Sequence, residues 1–302
     1  MKKIRVGISK EIDFKVKTYA KKKFILNQID EKKFFYDVIL ITSNSEIDYK
    51  IINKCKSIRI IFIMSLHLLS KIKLNKLRKD IKILYFDIKS KKILNTITAT
   101  PEFIFGLIIL LTKNFLRIDN ISKKNIWDPK KTANFAFNKM LSQSTLGIVG
   151  FGRIGKELKY IAKNFGMKTV IFTRKNKIKL ADIARKSDIV SISLSLNNKN
   201  KNMINKNFFS KMKIGSYFIN TSKGQIVNYH DLLKFLNKNI KGAAIDVYKN
   251  ENTNDKEVKK LVNYSRNNDN LILTPHIAGS TLDSIITLQK HCLDKIESYF
   301  KI

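Results

Sequence analysis

Short runs of apolar and β-branched residues alternate with helical patterns along the second half of the chain. Six such runs predict strands, at residues 146–151, 169–173, 188–194, 216–221, 242–248 and 271–275. The stretches between them, including 154–164 and 229–239, have the spacing of amphipathic helices. Strands that alternate with helices form βαβ units with a parallel sheet. The second half is therefore expected to be a doubly wound α/β domain.

The first hundred residues show the same alternation more weakly. Strand-like runs occur at 4–8, 38–42, 58–64 and 81–86, separated by lysine-rich amphipathic stretches. Pro101 and Pro275 bracket the segment that carries the six stronger strands, and Pro101 lies where a first-turn proline would open an apolar helix. This pattern predicts a domain at 100–275 that is inserted in a smaller α/β domain made of 1–99 and 276–302.

The composition indicates a folded protein in a reducing compartment. Hydrophobic residues make up 44% and aromatic residues 10% of the 302 residues, more than disordered chains carry. Cys55 and Cys292 have no spacing that predicts a disulfide framework or a metal site. The N-terminus lacks the pattern of a secretion signal, and the longest apolar stretch, 103–111, is shorter than the ~20 residues that cross a bilayer. We expect a cytoplasmic protein without a membrane span.

The formal net charge of +35 raises the question of nucleic-acid binding, because clustered Lys and Arg release counterions from phosphate surfaces. The basic residues are 51 Lys and only 8 Arg, spread through every segment, with no block of five in a row. This distribution favours compositional drift, so nucleic acid is not the expected partner. A polyanion-binding protein remains the less favoured alternative, and the basic surface is expected to steer anionic metabolites and cofactors.

A glycine-rich motif follows the first strand of the second half. Gly150-Phe151-Gly152-Arg153-Ile154-Gly155 comes after Leu-Gly-Ile-Val and opens a predicted helix, which is the context that a dinucleotide-binding motif needs. The first glycine allows a tight turn, the second lets the backbone approach a pyrophosphate, and the third permits close packing of the helix. The helix N-terminus then faces negative charge. We therefore predict that Gly150, Gly152, Arg153, Ile154 and Gly155 bind a dinucleotide.

The end of the next strand indicates which dinucleotide binds. NAD-binding domains place an acidic residue there, about 20 residues after the glycines, to bind the ribose 2′-hydroxyl. Here the position reads Thr173-Arg174-Lys175. No carboxylate would repel a 2′-phosphate, and two cations would attract it. The pattern favours NADP over NAD, with Thr173, Arg174 and Lys175 as contacts.

The motifs of residues 95–290 together resemble the D-2-hydroxyacid dehydrogenases, a family that includes D-3-phosphoglycerate dehydrogenase and glyoxylate/hydroxypyruvate reductases. The resemblance is carried by Ala99-Thr-Pro-Glu102, the segment 145–155, Asn220-Thr-Ser-Lys-Gly224, Gly242-Ala-Ala-Ile-Asp-Val-Tyr248 and Thr274-Pro-His-Ile-Ala-Gly-Ser-Thr281. It implies a Rossmann cofactor domain inserted in a smaller flavodoxin-like substrate domain. It also implies an NAD(P)-dependent enzyme that interconverts a D-2-hydroxy acid and a 2-oxo acid, and a homodimer formed through the cofactor domain.

The resemblance implies roles for individual residues. His276 corresponds to the acid–base of the family, Glu251 to the carboxylate that orients it, and Lys223 stands where the family has a substrate-binding Arg. Asp246 falls where the family contacts the nicotinamide carboxamide. His suits the reaction, because reduction of a 2-oxo acid needs a group that exchanges a proton near neutral pH. Thr221 and Gly279 are further predicted cofactor contacts.

The sequence departs from the family at three places. Lys223 supplies a mobile point charge where Arg would supply a planar fork, and this exchange is not conservative at a site that binds a carboxylate. Residues 65–70 lack the glycine of the family's substrate loop, and residues 42–44 lack the Arg of phosphoglycerate-specific members. These departures weaken a phosphoglycerate assignment. They also keep a second hypothesis open, a catalytically weakened module that senses NAD(P) and recruits a partner.

Overall fold

The computed structural model describes residues 3–9, 12–30, 35–41, 49–64, 73–86, 90–128, 130, 138–175, 178–251 and 255–300. The chain divides into two compact units, Met1–Ile97 with Ser280–Ile302 (unit 1) and Thr98–Gly279 (unit 2). Each unit has its own parallel sheet. Unit 2 contains every residue that the sequence predicts to bind the cofactor or to act in catalysis.

The strands of the described part are β1 (Ile4–Ile8), β2 (Phe24–Gln28), β3 (Val38–Ile41), β4 (Ile60–Ile63), β5 (Lys82–Tyr85), β6 (Thr145–Val149), β7 (Lys168–Phe172), β8 (Ile189–Ile192), β9 (Ser216–Asn220), β10 (Ile240–Ile245) and β11 (Leu271–Leu273). The helices are α1 (Phe14–Ala20), α2 (Tyr49–Lys54), α3 (Lys91–Leu94), α4 (Ala99–Thr112), α5 (Phe115–Lys123), α6 (Arg153–Asn164), α7 (Leu180–Lys186), α8 (Lys206–Phe209), α9 (Tyr229–Phe235), α10 (Lys256–Arg266) and α11 (Leu282–Phe300).

Unit 1 is built on a five-stranded sheet in the order β2-β1-β3-β4-β5. This is the strand order of flavodoxin-like sheets. The helix α11 returns to this unit and buries Ile286, Leu293 and Ile296 in the same apolar cluster as Val6 and Leu40 of the central strands. A separate cluster that includes Ile39, Ile61 and Ile63 forms from the alternate residues of the same strands. The sheet is therefore covered on both faces.

Unit 2 is built on a six-stranded sheet in the order β11-β10-β9-β8-β6-β7. All of its strand pairs are parallel. The order reverses between β6 and β8, because β7 lies on one side of β6 and the later strands on the other. Ligands of such sheets bind outside the carboxyl ends of the strands at this reversal. The glycine loop follows β6 and therefore lies at that place.

The central strands of unit 2 are buried on both faces, as is typical of parallel sheets. Every residue of β8 and β9 is buried. One face packs against the cluster that contains Phe208, Phe209 and Leu232, and the other against the cluster that contains Ile104 and Leu158. The core thus fixes the ends of the strands, where the candidate site residues lie.

One segment of the described chain, Lys91–Thr112, has the length and hydropathy of a possible membrane span, with a mean hydropathy of 1.7. Its C-terminal part is α4, which packs against α6, β9 and β10. Ile104, Ile108 and Leu111 are among the side chains that α4 buries. Core helices of globular proteins pass the same test of length and composition, and the packing of α4 is that of a core helix.

The ten strands that the sequence predicts are present, with each end within three residues of the predicted bound, but β2 was not predicted. Only Phe24 of β2 is buried, and Asn27 and Gln28 are exposed at the sheet edge, so no apolar run marks it. The helix predicted at 229–239 ends at Phe235, because Leu236 is extended and Asn237 has a φ of 66°.

Residues 276–279 group with unit 2, whereas the sequence predicts that they belong to the smaller domain. The reason is a set of hydrogen bonds to the carboxylate of Asp246, which accepts from the amides of Ile277 (2.9 Å) and Ala278 (3.1 Å). His276 therefore belongs to the same unit as the glycine loop.

Candidate active site

The glycine loop joins β6 to α6. The amide of Gly150 donates to the carbonyl of Phe172 at the end of β7 (2.9 Å). Gly150 has a φ of 108°, and a Cβ there would come within 2.3 Å of the carbonyl oxygen of Ser193. A Cβ on Gly155 would lie 2.3 Å from the carbonyl oxygen of Gly150. Both positions therefore require glycine, as a tight turn followed by a closely packed helix demands.

The protein atoms around Gly152 do not themselves require glycine. It is the N-cap of α6, and a Cβ there would meet no described atom within 4 Å, so the space beside it is open. The first amides of a helix point outward and attract negative charge. Arg153 follows at the first helical position, where burial lowers the pKa of its guanidinium. Ile154 packs into the core cluster beside the sheet. The loop thus fits the pyrophosphate of a dinucleotide.

Thr173, Arg174 and Lys175 directly follow β7 at the same edge of the sheet. The hydroxyl of Thr173 accepts a hydrogen bond from the amide of Lys175 (3.2 Å) and closes a turn. The side chains of Arg174 and Lys175 are exposed, and no carboxylate of the described residues forms an ion pair with either. Two uncompensated cations therefore stand where NAD-binding domains have an acid.

Asp246 follows β10 and is completely buried. Its carboxylate accepts hydrogen bonds from the hydroxyl of Thr274 (2.6 Å) and from the amides of Ile277 and Ala278. These donors surround His276, whose φ is 56°. A left-handed conformation is uncommon for a residue other than glycine and marks a position that its surroundings determine. Asp246 thus fixes the turn that presents His276.

His276 and Glu251 form the closest side-chain pair of the site. Nδ1 of His276 lies 2.5 Å from Oε1 of Glu251. The side chains keep 37% and 27% of their surface exposed, so the pair is reachable from solvent. The two residues come from loops that follow β10 and β11, 25 positions apart in the chain. The structure therefore brings together the acid–base and the orienting carboxylate that the sequence predicts.

Lys223 lies in a loop that packs against the loop of Glu251. A Cβ on Gly224, its neighbour, would come within 2.1 Å of the backbone of Tyr248, and Nε2 of Gln225 donates to the carbonyl of Lys249 (3.0 Å). The side chain of Lys223 is half-buried, and its ammonium makes no hydrogen bond or ion pair with described residues. Its charge is therefore available for an anion.

Two tyrosines that are not among the predicted site residues connect these loops. The hydroxyl of Tyr229 donates to the carbonyl of Val247 (2.7 Å) and accepts from Asn220 (2.8 Å). The hydroxyl of Tyr248 donates to the carbonyl of Thr274 (3.0 Å). Burial raises the pKa of Tyr248 to about 12 and that of Tyr229 well above its ordinary value, so both phenols stay protonated. Buried tyrosine hydroxyls need such partners. The sequence has no motif that marks these two tyrosines as part of the site.

Thr221 and Gly279 are the other two predicted cofactor contacts. Thr221 is half-buried just after β9, and Gly279 is exposed three positions after His276. Residues 42–44 and 65–70, the departures in the first hundred residues, lie outside the described residues.

The glycine loop at the reversal of a parallel sheet defines unit 2 as a dinucleotide-binding α/β domain. Residues 105–278 match the family model for the D-isomer specific 2-hydroxyacid dehydrogenase, NAD binding domain. This match covers more than half of the chain. The chain belongs to the D-isomer specific 2-hydroxyacid dehydrogenase family.

Several curated proteins are similar in sequence. The chain is 31% identical over 199 residues to a glyoxylate reductase of Thermofilum pendens, which covers 62% of this chain and 57% of that protein. It is 31% identical over 198 residues to the D-3-phosphoglycerate dehydrogenase of Escherichia coli, covering 62% and 46%. A glycerate dehydrogenase of Methylorubrum extorquens is 29% identical over 207 residues, covering 67% and 65%. The matches thus span about half to two thirds of each relative.

Solved structures show the same fold over nearly the whole chain. A D-lactate dehydrogenase of Aquifex aeolicus, complexed with NAD and lactic acid, has a TM-score of 0.76 at 21% identity and covers 98% of this chain and 95% of that one. A D-2-hydroxyisocaproate dehydrogenase has a TM-score of 0.81 at 19% identity, with 98% and 96% covered. These similarities confirm the two parallel-sheet α/β domains that the sequence predicts.

Proposed function

We propose that this protein is an oxidoreductase that transfers a hydride between NAD(P) and a small 2-oxo or D-2-hydroxy acid. The observation that carries the proposal is the 2.5 Å contact between Nδ1 of His276 and Oε1 of Glu251, in the same unit as the glycine loop. A carboxylate on one ring nitrogen sets the orientation of the ring and leaves the other nitrogen to exchange a proton with substrate. Membership of the family supports the same reaction class.

The residues of the chain have distinct tasks in this reaction. When bound, the nicotinamide cofactor supplies or accepts the hydride. As the 2-oxo carbon is reduced, its oxygen takes a proton from Nε2 of His276, and Glu251 stabilises the positive ring before that transfer. Lys223 binds the substrate carboxylate through its ammonium. Asp246 acts mainly by fixing the turn of His276, which adds a structural task to the cofactor contact that the family resemblance implies.

We infer that the cofactor is NADP in preference to NAD. The exposed guanidinium of Arg174 and ammonium of Lys175 suit a 2′-phosphate, and the hydroxyl of Thr173 adds a polar group at the same turn. The absence of an acid at these three positions removes the group that would bind a free 2′-hydroxyl.

We further propose a cytoplasmic homodimer. Unit 2 exposes large apolar side chains close together in sequence, with Phe115 50%, Leu116 42% and Trp127 70% exposed. Apolar surface of this kind is typical of a face that another chain covers. The free thiols of Cys55 and Cys292 suit a reducing compartment. Sedimentation velocity of the purified chain, compared with a Phe115→Ser variant, tests the dimer.

The decisive experiment is a screen of short 2-oxo acids, including glyoxylate and hydroxypyruvate, with NADPH and with NADH. We expect turnover, and we expect His276→Gln to lower kcat by about 10²-fold or more while cofactor affinity is retained. His230→Asn is the matched control, because His230 is an exposed histidine of the same unit. No turnover with any acid, or a His276→Gln enzyme of normal rate, would show the proposal to be wrong.

A second candidate is a cofactor sensor that has lost most of its catalysis. The observation that favours it is Lys223, where the family resemblance implies Arg. A sensor would bind NADP(H) tightly, show no turnover in the screen, and bind a protein partner in a cofactor-dependent way. The same screen therefore separates the two candidates.

A further inference from the structure

Tyr248 lies at the junction of three loops of the candidate active site. It comes three residues before Glu251, so its main chain belongs to the loop that carries the orienting carboxylate. Its side chain is half-buried and packs against the apolar cluster that contains Phe208 and Leu232. The core of unit 2 therefore determines where the ring of Tyr248 stands.

The hydroxyl of Tyr248 reaches the loop that carries His276. It donates to the carbonyl of Thr274 (3.0 Å), two residues before His276, and lies 3.4 Å from the carbonyl of Ile245. Because burial raises the pKa of this phenol to about 12, the hydroxyl remains a donor near neutral pH. The hydrogen bond therefore joins the loop of Glu251 to the loop of His276, close in sequence to both members of the pair.

The main chain of Tyr248 packs against the third loop, which carries Lys223. A Cβ on the neighbouring Gly224 would lie 2.1 Å from the carbonyl carbon of Tyr248 and 2.5 Å from its oxygen. Glycine at position 224 is what lets the two loops approach so closely. The loop of Lys223 thus holds Tyr248 on its main-chain side, and the hydroxyl of Tyr248 holds the loop of the acid–base on the other.

Asp246 and Tyr248 have different tasks at this junction. The carboxylate of Asp246 fixes the turn around His276 from inside, because it binds donors within residues 274–278. The distance between His276 and Glu251 depends in addition on where the loop of Glu251 stands relative to that turn. The hydrogen bond from Tyr248 controls this second relationship, since its donor belongs to one loop and its acceptor to the other.

We propose that Tyr248 is a positioning residue that holds the carboxylate of Glu251 against Nδ1 of His276. The two side chains of the pair stand on loops and keep 27% and 37% of their surface exposed, so packing around them does not by itself fix their alignment. Alignment matters for rate, because a misplacement of about 1 Å can cost about 10²-fold. This task rests on the proposed reaction at His276, but the alignment of the pair can be measured without turnover.

The first test is the steady-state kinetics of Tyr248→Phe, which removes the hydroxyl and keeps the ring in the core. We expect kcat for the 2-oxo acid to fall by about tenfold. KM for the acid and the dissociation constant of NADPH should keep their wild-type values, because the main chain still packs against Gly224. Tyr217→Phe is the matched control, since Tyr217 is a buried tyrosine at the start of β9, at the opposite end of the sheet. Wild-type kcat in Tyr248→Phe, or an equal fall in both variants, would overturn the proposal.

The second test uses NMR of the ring nitrogens in the full chain, labelled with isotopic histidine. While Glu251 accepts from Nδ1, the neutral ring of His276 carries its proton on that nitrogen. Tyr248→Phe should raise the population with the proton on Nε2, toward the distribution of a Glu251→Ala chain, and the signals missing from His276→Gln identify the ring. An unchanged distribution in Tyr248→Phe would overturn the proposal, whatever happens to kcat. This measurement also decides for a chain without turnover, in which case the substrate screen has already refuted the proposed function.

The double variant Tyr248→Phe with Glu251→Ala tests whether Tyr248 acts through Glu251. Once the carboxylate is gone, the hydroxyl of Tyr248 has nothing left to align, so the double variant should have the same kcat as Glu251→Ala alone. Residues that act independently have additive free-energy effects, which multiply in rate. A further fall of about tenfold in the double variant would mean that Tyr248 acts elsewhere and would overturn the proposal.

Discussion

The hydroxyl of Tyr229 lies 2.8 Å from Nδ2 of Asn220, and this contact links the loop of Lys223 to the end of β10. Asn220 also donates to the carbonyl of Lys223 (3.3 Å) and accepts from the amide of Ser222 (3.1 Å). The Tyr229 hydroxyl donates a 2.7 Å hydrogen bond to the carbonyl of Val247, the residue next to Asp246. We therefore regard Tyr229 as a positioning residue for Lys223.

Tyr229→Phe should lower kcat/KM for the 2-oxo acid by about tenfold, because it releases the loop of Lys223 from the end of β10. The ring would still fill the core, so the cost in unfolding free energy should be about 1–3 kcal/mol, because the carbonyl of Val247 loses the Tyr229 donor while Asn220 still donates to the carbonyl of Lys223. Steady-state kinetics with the acid and with the cofactor, each varied in turn, should place the loss on the acid.

Tyr264→Phe provides the control for that experiment. Tyr264 also has a hydrogen-bonded hydroxyl, with Asn237 and Asn270, but at the opposite end of the sheet. It should lose stability and keep kcat/KM. If Tyr229→Phe behaves in the same way, its hydroxyl has only a structural task.

The fold of unit 2 could be predicted because each of its signals is local. The apolar runs of β6 and β9 are continuous, and Gly150 and Gly155 stand at fixed offsets from a strand end. By contrast, β2 pairs with β1 at a sheet edge and buries only Phe24, so its sequence carries almost no strand signal. The reversal between β6 and β8 depends on which strands pair, and no single segment encodes that.

The candidate site could be predicted only as a set of residues. The family resemblance indicated His276 and Glu251, and the structure adds the contact between them. The carboxylate of Asp246 binds amides 31 and 32 positions later in the chain, which no motif spacing reveals. Tyr229 has a buried environment set by tertiary packing, and its sequence neighbours indicate only a helix.

The carboxylate charge of Glu251 is expected to matter for rate. Glu251→Gln keeps an oxygen that can accept from Nδ1 of His276 but removes the charge that stabilises the protonated ring. We expect kcat to fall by at least about tenfold while the dissociation constant of NADPH stays the same. Glu257→Gln is the control, because Glu257 pairs with Lys249 (3.0 Å) and not with His276. Equal rates for both variants would contradict the assigned task of Glu251.

Thr173 and Arg174 should decide the choice of cofactor. The double variant Thr173→Asp with Arg174→Ala places a carboxylate where a 2′-hydroxyl would bind and removes a cation from the 2′-phosphate. The ratio of kcat/KM for NADPH to that for NADH should fall by about tenfold or more. Arg185→Ala removes a cation on α7 that lies 3.7 Å from Asp182, and it should leave the ratio unchanged. A wild-type enzyme that already prefers NADH would contradict the NADP assignment.

Asp188 should make stability depend on pH. Burial alone would raise its pKa, but the amide of Thr145 (2.7 Å) and the ammonium groups of Lys213 (3.2 Å) and Lys139 (3.3 Å) outweigh burial and lower it. The stabilisation is therefore present above the unfolded pKa of about 4 and is lost as the pH falls through the lower folded pKa.

Asp188→Asn tests this pH dependence by urea unfolding. The variant should lose about 1–2 kcal/mol of unfolding free energy at neutral pH, and the difference from wild type should shrink below about pH 3. Asp119→Asn removes an exposed pair with Lys123 and should cost less than about 0.5 kcal/mol at any pH. A loss at Asp188→Asn that does not change with pH would mean that the amide contact, and not the charge, stabilises the fold.

Lys223→Arg tests whether the lysine is a drifted form of a substrate-binding arginine. The ammonium of Lys223 makes no hydrogen bond or ion pair with described residues, so the exchange breaks no existing hydrogen bond. The planar guanidinium can form two parallel hydrogen bonds with a carboxylate where an ammonium acts as one point charge. We expect kcat/KM to rise by about tenfold, equal to about 1.4 kcal/mol of transition-state binding. A fall in kcat/KM would mean that the surrounding loop has adapted to lysine. Lys223→Ala should lose most of the activity in either case, because the substrate carboxylate then lacks a cation, and an alanine variant of unchanged kcat/KM would favour the cofactor-sensing candidate.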